Sequence, residues 1–327
     1  MLTHRLMGRQ ISAVGLGTAD FGGKIGKERA FDVLDAYADA GGNLIDTARV
    51  YGDFSTPRDG ESEKIIGRWM EERKNRDRLF LSTKGGHPRL ASMGISRLSR
   101  EEIADDLKRS LEDLRCSKID CYFLHRDDEA LEAGRLVDIL EGFLSDGLIA
   151  SYGVSNWKTY RILEARRYAE AHGLTGIGIN QPQFSLLRPA GLGDPTLVRM
   201  DRDMLETHRR LSMPCFCFSS QANGVLSLMA AGKKMPAARE KRYDTPENRA
   251  IAAKAKDISD RTGLDANMIA MAFITCQAFP CFALCGTSDP DRARSWGRIG
   301  NAALDAETVE ALNSMTLGPG SKGEWSL

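Results

Sequence analysis

Four residues set the chemistry this chain could perform: Asp46, Tyr51, Lys84 and His125. Asp46 closes a short apolar run at Leu44-Ile45, and Tyr51 follows in the next loop. Lys84 closes Leu79–Thr83, and His125 closes Ile119–Leu124. Taken singly, each has an ordinary explanation: a capping aspartate, a solvated lysine, a satisfied core histidine, a loop tyrosine. Taken together, a carboxylate, a phenol, an amine and an imidazole end consecutive strand-like segments. That is a set suited to moving protons at one place, provided the fold gathers those segment ends.

The surrounding elements supply such a fold. Ile11–Thr18 reads as a strand running into a Gly-rich bend, and Glu28–Ala40 as a helix with Phe31, Leu34, Tyr37 and Ala38 on one face. Gly41-Gly42 ends that helix. A second helix begins near Glu61, with an apolar stripe at Ile65, Ile66, Trp69 and Met70. Ser99-Arg100-Glu101-Glu102 is a capping box for a third, whose buried face is Ile103, Leu107, Leu111 and Leu114. Helices at 131–144 and from 157 to His172-Gly173 alternate with strands at 150–154, 177–180, 214–218 and 281–285. Strands alternating with helices imply a parallel sheet with right-handed crossovers. Gly15-Leu16-Gly17 is not followed by the glycine that a dinucleotide-binding doubly wound sheet requires. Eight strand candidates therefore favour an α/β fold of the (β/α)8 TIM-barrel type. We expect a single domain over 1–327, with extended βα loops and a C-terminal helix and tail. In such a barrel the carboxyl ends of all strands share one face, where Asp46, Tyr51, Lys84 and His125 would meet. Residues 182–200 read as a long loop, 219–245 as a linker before a helix at Pro246, and 318–327 as a Gly/Pro tail.

Composition narrows the function. The chain has 327 residues, 42% hydrophobic and 28% charged, enough apolar surface for a large core. Its net charge is zero, which with no aromatic-basic interleaving argues against nucleic acid or an anionic membrane as partner. No apolar run approaches the ~20 residues of a membrane span. Met1–Arg5 does not open a signal peptide, so a cytoplasmic protein is expected. Seven cysteines are an odd number without a paired framework. Cys215 and Cys217 share a strand face, with Cys276, Cys281 and Cys285 much later. Lacking a Cys-x-x-Cys or a His cluster, they read as buried small hydrophobes, and no metal is expected.

The chain resembles the aldo-keto reductases, and the resemblance runs over nearly its whole length. It is carried by Gly15-Leu16-Gly17-Thr18, Asp46-Thr47-Ala48 with Tyr51-Gly52, Ser62-Glu63, Ser82-Thr83-Lys84, Leu124-His125, Gly153-Val154-Ser155-Asn156 and Asn180-Gln181, in that order. Leu124–Asp128 with Phe218–Ala222 is similar to a bacterial subgroup. The resemblance implies reduction of a carbonyl by a nicotinamide, with Tyr51 as proton donor, Lys84 lowering its pKa, Asp46 pairing with Lys84, and His125 orienting the substrate oxygen. The chemistry is sensible, because a phenol with a pKa of about 10 is a poor acid until a cation stabilises its conjugate base. Side chains have no hydride to give, so a cofactor must supply it.

The same resemblance assigns Ser155, Asn156 and Gln181 to the nicotinamide amide, Phe218 with Ser219 to the ring, and Gly17 and Thr18, at the first strand end, to cofactor binding as well. Gly286, Thr287, Ser288 and Arg292 match the adenosine-phosphate segment; read as residues alone, they equally suit a capped helix start. A 2′-phosphate would suit the planar Arg292, hence NADP(H) over NAD(H). Trp296 and Ser295 depart from the family's usual adenine-facing pair, and Ala19 replaces a frequent Trp beside the substrate. The loop Asp53–Gly60 is longer than the family pattern. With Asp20, Asp53, Arg58, His87, Arg126 and Asp127 it would make a polar rim suited to a small-molecule substrate rich in hydroxyls, such as a sugar. The contrasting expectation is a cofactor-binding redox sensor with little turnover, attached to a membrane partner.

Overall fold

The computed structural model describes residues 1–52 and 60–318. The chain opens with an antiparallel hairpin of β1 (Thr3–Leu6) and β2 (Arg9–Ser12), turned at Met7-Gly8 with both residues at positive φ. Barrel strands and helices then alternate: β3 (Val14–Gly17), α1 (Lys27–Asp39), β4 (Leu44–Asp46), α2 (Glu61–Arg73), β5 (Phe80–Gly85), α3 (Arg100–Asp113), β6 (Cys121–Leu124), α4 (Ala133–Ser145), β7 (Tyr152–Ser155), α5 (Thr159–Ala171), β8 (Ile179–Gln181), α6 (Arg202–Leu211) and β9 (Cys215–Cys217). Next come α7 (Val225–Ala230), α8 (Ala237–Tyr243), α9 (Pro246–Thr262), α10 (Ala266–Thr275), β10 (Cys281–Cys285), α11 (Pro290–Ser295) and α12 (Ala306–Leu317). Eight strands close a barrel in the order β10-β3-β4-β5-β6-β7-β8-β9, as the strand count predicts.

Internal contacts divide the chain into two compact units. The first comprises Gly15–Gln181 with Gly286–Gly297 and carries β4 to β8, each strand parallel to the next. These strands are buried at every position, so they show no alternation of apolar and polar residues, and their polar side chains are buried at the carboxyl ends. Gly153 on β7 is dictated by this packing. A Cβ there would lie 2.4 Å from the Ile179 carbonyl oxygen and 2.5 Å from the Phe123 ring. The capping box at α3 is made: Ser99 Oγ accepts from the Glu102 amide at 3.2 Å, and Ile103 and Leu107 are buried.

The second unit comprises Met1–Val14, Pro182–Cys285 and the segment from Arg298 on. In it β9 and β10 pair in parallel, with Cys215 opposite Cys281 and Phe216 opposite Phe282. Thr245 caps α9, with Pro246 in its first turn, and Gly263 closes it at φ 72°.

Three expectations differ from the structure. Ile11–Thr18 is not one strand: Ser12 ends the hairpin and Val14 begins the barrel wall, because the chain changes partners between them. The stretch 219–245 is not a linker but holds a short 3-10 turn at Ala222–Gly224, then α7 and α8. Helix α6 follows the 182–200 loop and was not foreseen; its buried Met204, Leu205 and His208 carry the helical spacing, and Asp201 caps it at 2.8 Å. Trp296 stands at a position where the family often has an adenine-facing residue. It is 1% exposed and meets Tyr37 edge-on, so it fills the core beside α1. Of the long loop at 53–60, residues 53–59, with Asp53 and Arg58, lie outside the described residues.

Candidate active site

The site is built on the ends of β4 to β8. Asp46 is the last residue of β4 and faces Ser82 of β5 in register; two residues on, Lys84 points the same way, as strand alternation requires. Lys84 Nζ donates to Asp46 Oδ2 at 2.7 Å and to the Thr47 carbonyl at 2.6 Å, and its third contact is Tyr51 Oη at 3.3 Å. Ser82 Oγ and Gln181 Nε2 donate to Asp46 Oδ1 at 2.8 and 2.9 Å. The ion pair is thus buried with both oxygens of the carboxylate answered, the condition under which charge in a core is tolerated. Tyr51 lies one turn beyond β4, its amide bonded to the Ala48 carbonyl, and its ring meets that of His125 at 5.8 Å.

Burial pushes the Tyr51 phenol above its ordinary value, while Lys84 beside it, and Arg126 more weakly, pull it down. The influence expected of Lys84 is present, but without other groups in the site burial outweighs it. Burial likewise works against the Lys84 charge, yet Asp46 and Tyr51 hold it above its ordinary value, so it stays an ammonium. His125 goes the other way. Burial, then His87, Arg126 and Lys84, hold it well below the usual imidazole range, so it is neutral. Its Nδ1 is buried with no hydrogen-bond partner among the described residues. A neutral imidazole beside a phenol can donate to, or accept from, an oxygen placed between them.

The remaining candidates fall into three groups. Asn156, at φ 62°, donates to the His125 carbonyl at 3.2 Å and to Ser155 Oγ, which donates to the Gln181 carbonyl at 2.8 Å. Ser155, Asn156 and Gln181 are therefore contiguous at the ends of β7 and β8, and Gln181 reaches Asp46 as well. Thr18 is spent on structure: its hydroxyl donates to the Asp46 carbonyl and receives from Ser62 Oγ. Gly17 is half-buried at the end of β3, and a Cβ on Gly286 would lie 3.4 Å from its carbonyl oxygen. Thr287 Oγ1 accepts from the Asp289 amide, and the Ser288 carbonyl accepts from Arg29 Nε at 2.6 Å. Arg292 is exposed on α11 and makes no ion pair among the described residues. Phe218 and Ser219 belong to the other unit, just past β9; Phe218 is half-buried and Ser219 exposed at φ 55°.

Of the residues expected at the rim, His87 stacks edge-on against His125 at 4.7 Å and donates from Nδ1 to the Pro88 carbonyl. Arg126 is buried and donates to the His125 carbonyl at 2.8 Å. Asp20 is exposed and pairs with Lys24, and the half-buried Asp127 pairs with Arg161 at 3.0 Å. Sequence reasoning assigned no role to Ser82 on Asp46, nor to the Arg49–Glu63–Thr83 chain behind β5. There Arg49 donates to Glu63 at 2.7 Å and to Asp113 at 2.6 Å, and Thr83 donates to Glu63 at 2.6 Å. Ser82 was detectable as the residue two before Lys84, on the same strand face.

The structure is thus a (β/α)8 barrel with a lysine, an aspartate, a tyrosine and a histidine gathered beyond neighbouring strand ends, groups able to pass protons. The family model for the aldo/keto reductase family matches residues 13–316, and the chain belongs to that family. It is 29% identical over 231 residues to aldo-keto reductase ausK of Emericella nidulans, covering 66% of this chain and 54% of that one. It is 29% identical over 252 residues to an aryl-alcohol dehydrogenase [NADP(+)] of Phanerodontia chrysosporium, covering 72% and 60%. With the uncharacterized oxidoreductase YrpG of Bacillus subtilis it shares 25% identity over 321 residues, 96% and 95% of the two chains. The match thus spans little more than half of ausK and nearly all of YrpG.

Proposed function

We propose that this protein, acting as one barrel domain over 1–327, interconverts a carbonyl and an alcohol with NADP(H), Tyr51 passing the proton and His125 orienting the oxygen. The observation that carries the reading is Tyr51 Oη at 3.3 Å from an ammonium itself fixed by Asp46 at 2.7 Å. A nicotinamide, when bound, supplies the hydride. Residues of the first unit suit it: Asn156 and Gln181 offer amide groups and Ser155 a hydroxyl; within the second unit, Phe218 has a half-buried ring. Around that cofactor the chain's own work is to hold Lys84 charged, keep His125 neutral and bring the phenol to the substrate oxygen. Preference for NADP(H) is supported by the exposed Arg292 and by the relative named for NADP(+). Arg292→Ala is expected to weaken NADPH binding far more than NADH binding; equal losses would make that residue structural. Seven free cysteines support a reducing, cytoplasmic setting, and no helix among the described residues is long and apolar enough to cross a membrane.

For the substrate we favour a polyhydroxylated carbonyl compound, held by His87 and Arg126 beside His125. The relative named as an aryl-alcohol dehydrogenase favours an aromatic carbonyl instead. Turnover of aldoses, keto-sugars, aryl aldehydes and small alkyl aldehydes with each dinucleotide separates the two. A higher kcat/KM for the sugars upholds the first, a higher one for aryl aldehydes the second, and no turnover of any carbonyl contradicts the reductase reading.

A further inference from the structure

Three cysteines far apart in sequence come together in the wall formed by β9 and β10. Cys215 and Cys217 alternate on one face of β9, and Cys281, the first residue of β10, is the register partner of Cys215. Cys215 Sγ lies 3.5 Å from Cys217 Sγ, which lies 3.3 Å from Cys281 Sγ, and all three sulfurs fall within 4.8 Å of one another. None is exposed at all. The intervening Phe216 and Phe282 contact each other at 4.9 Å, so the strand alternation puts aromatics on one face and sulfurs on the other.

The closest pair is poorly suited to a disulfide. The closest sulfurs, Cys217 and Cys281, sit diagonally across the strand pair, where Cα atoms are about 7–8 Å apart, beyond the usual bridging range. The three together are well suited to a shared ion. Three sulfurs around a metal at about 2.3 Å lie about 4 Å from one another, so the two shorter separations need to open by only about half an ångström.

We propose that Cys215, Cys217 and Cys281 form a closed three-sulfur site for a soft, thiophilic metal ion. Thiolates select soft ions such as Cu(I), Zn(II) and Cd(II) over hard ones, and binding releases the thiol protons. The site takes no part in the carbonyl chemistry above, and its test does not depend on it.

The probe is Cd(II) alone, which does not oxidise thiols, added to the reduced full-length protein by incubation and, separately, during refolding. The expected result is one equivalent bound, with ultraviolet sulfur-to-metal charge-transfer absorption and a raised Tm. Cys217→Ala removes the central sulfur and is expected to weaken binding beyond the roughly 10–100-fold typical of losing a supporting contact. Cys116→Ala with Cys276→Ala, at the two half-buried cysteines, is expected to leave binding unchanged. Should Cys217→Ala fail to fold, Cys217→Val refills the space without a donor and answers the same question. The proposal is overturned if the wild type takes up no stoichiometric Cd(II) by either route, or if the Cys217 variants bind it equally well. It is also overturned if mass spectrometry finds a Cys217–Cys281 disulfide in the metal-free protein.

Discussion

Two stretches of barrel wall are equally buried and chemically opposite. At β4 and β5 the chain buries Asp46, Ser82 and Lys84; at β9 and β10 it buries Cys215, Cys217 and Cys281. In the first, each formal charge is answered: Lys84 has Asp46, the Thr47 carbonyl and Tyr51, and Asp46 has Lys84, Ser82 and Gln181. In the second the groups are nearly apolar and mainly meet one another. A charge in a core is tolerated only when its partners are fixed, so the polar wall is over-determined. Thiols demand no such answer, and that wall is held by packing. Removing one group should therefore cost much more at β4–β5 than at β9–β10.

The largest expected effect follows from breaking the ion pair. Lys84→Met leaves Asp46 buried without its cation, costing about 3–5 kcal/mol of stability in denaturant unfolding, along with loss of turnover. Cys215→Ala, at a site just as buried, is expected to cost about 1–2 kcal/mol, the scale of deleting one or two core atoms. Similar costs for the two would show that the polar wall is not over-determined. Ser82→Ala sharpens the contrast within the polar wall. It takes from Asp46 one hydrogen bond to a charged acceptor, worth about 1.5–3 kcal/mol, and should alter the pH dependence of kcat through Lys84, whereas a merely structural serine would lower stability alone.

The smallest effect is a matter of pH. His125 is neutral in the fold and titrates well below its ordinary 6.5, because burial disfavours the imidazolium and His87, Arg126 and Lys84 add to the effect. Below pH 6.5 the unfolded chain binds a proton that the folded chain refuses. Stability is thus lost as pH falls through that window, by up to about 1.4 kcal/mol per pH unit from this group. His125→Asn should flatten the stability slope between pH 6.5 and 5 relative to wild type; an unchanged slope would mean that His125 ionises freely in the fold.

The contrast also explains what the sequence could reveal. Asp46, Lys84 and His125 stand out because each interrupts or ends an apolar run, and a parallel barrel sends all strand ends to one face. The eight strands were legible because each begins in or follows a short run of apolar residues and alternates with a helix-patterned segment. The cysteines were unremarkable because Cys217 and Cys281 are 64 residues apart, and only the β9–β10 register brings them together. Ser82 and Glu63 were visible as motif residues, but their roles depend on partners from other elements. Helices α7 and α8 were missed because 219–245 has no long apolar period, and they are only six and seven residues long.

The most direct test of the account is Tyr51→Phe, which removes the phenolic hydroxyl and keeps the ring beside Lys84 and His125. With a carbonyl the wild type reduces, turnover is expected to fall by at least about 10²–10⁴-fold, the range general acid catalysis contributes, while NADPH affinity measured by fluorescence titration stays within about threefold of wild type. Near-normal turnover in the variant would contradict the assignment of Tyr51 as the proton donor, and with it the reading of the whole strand-end set.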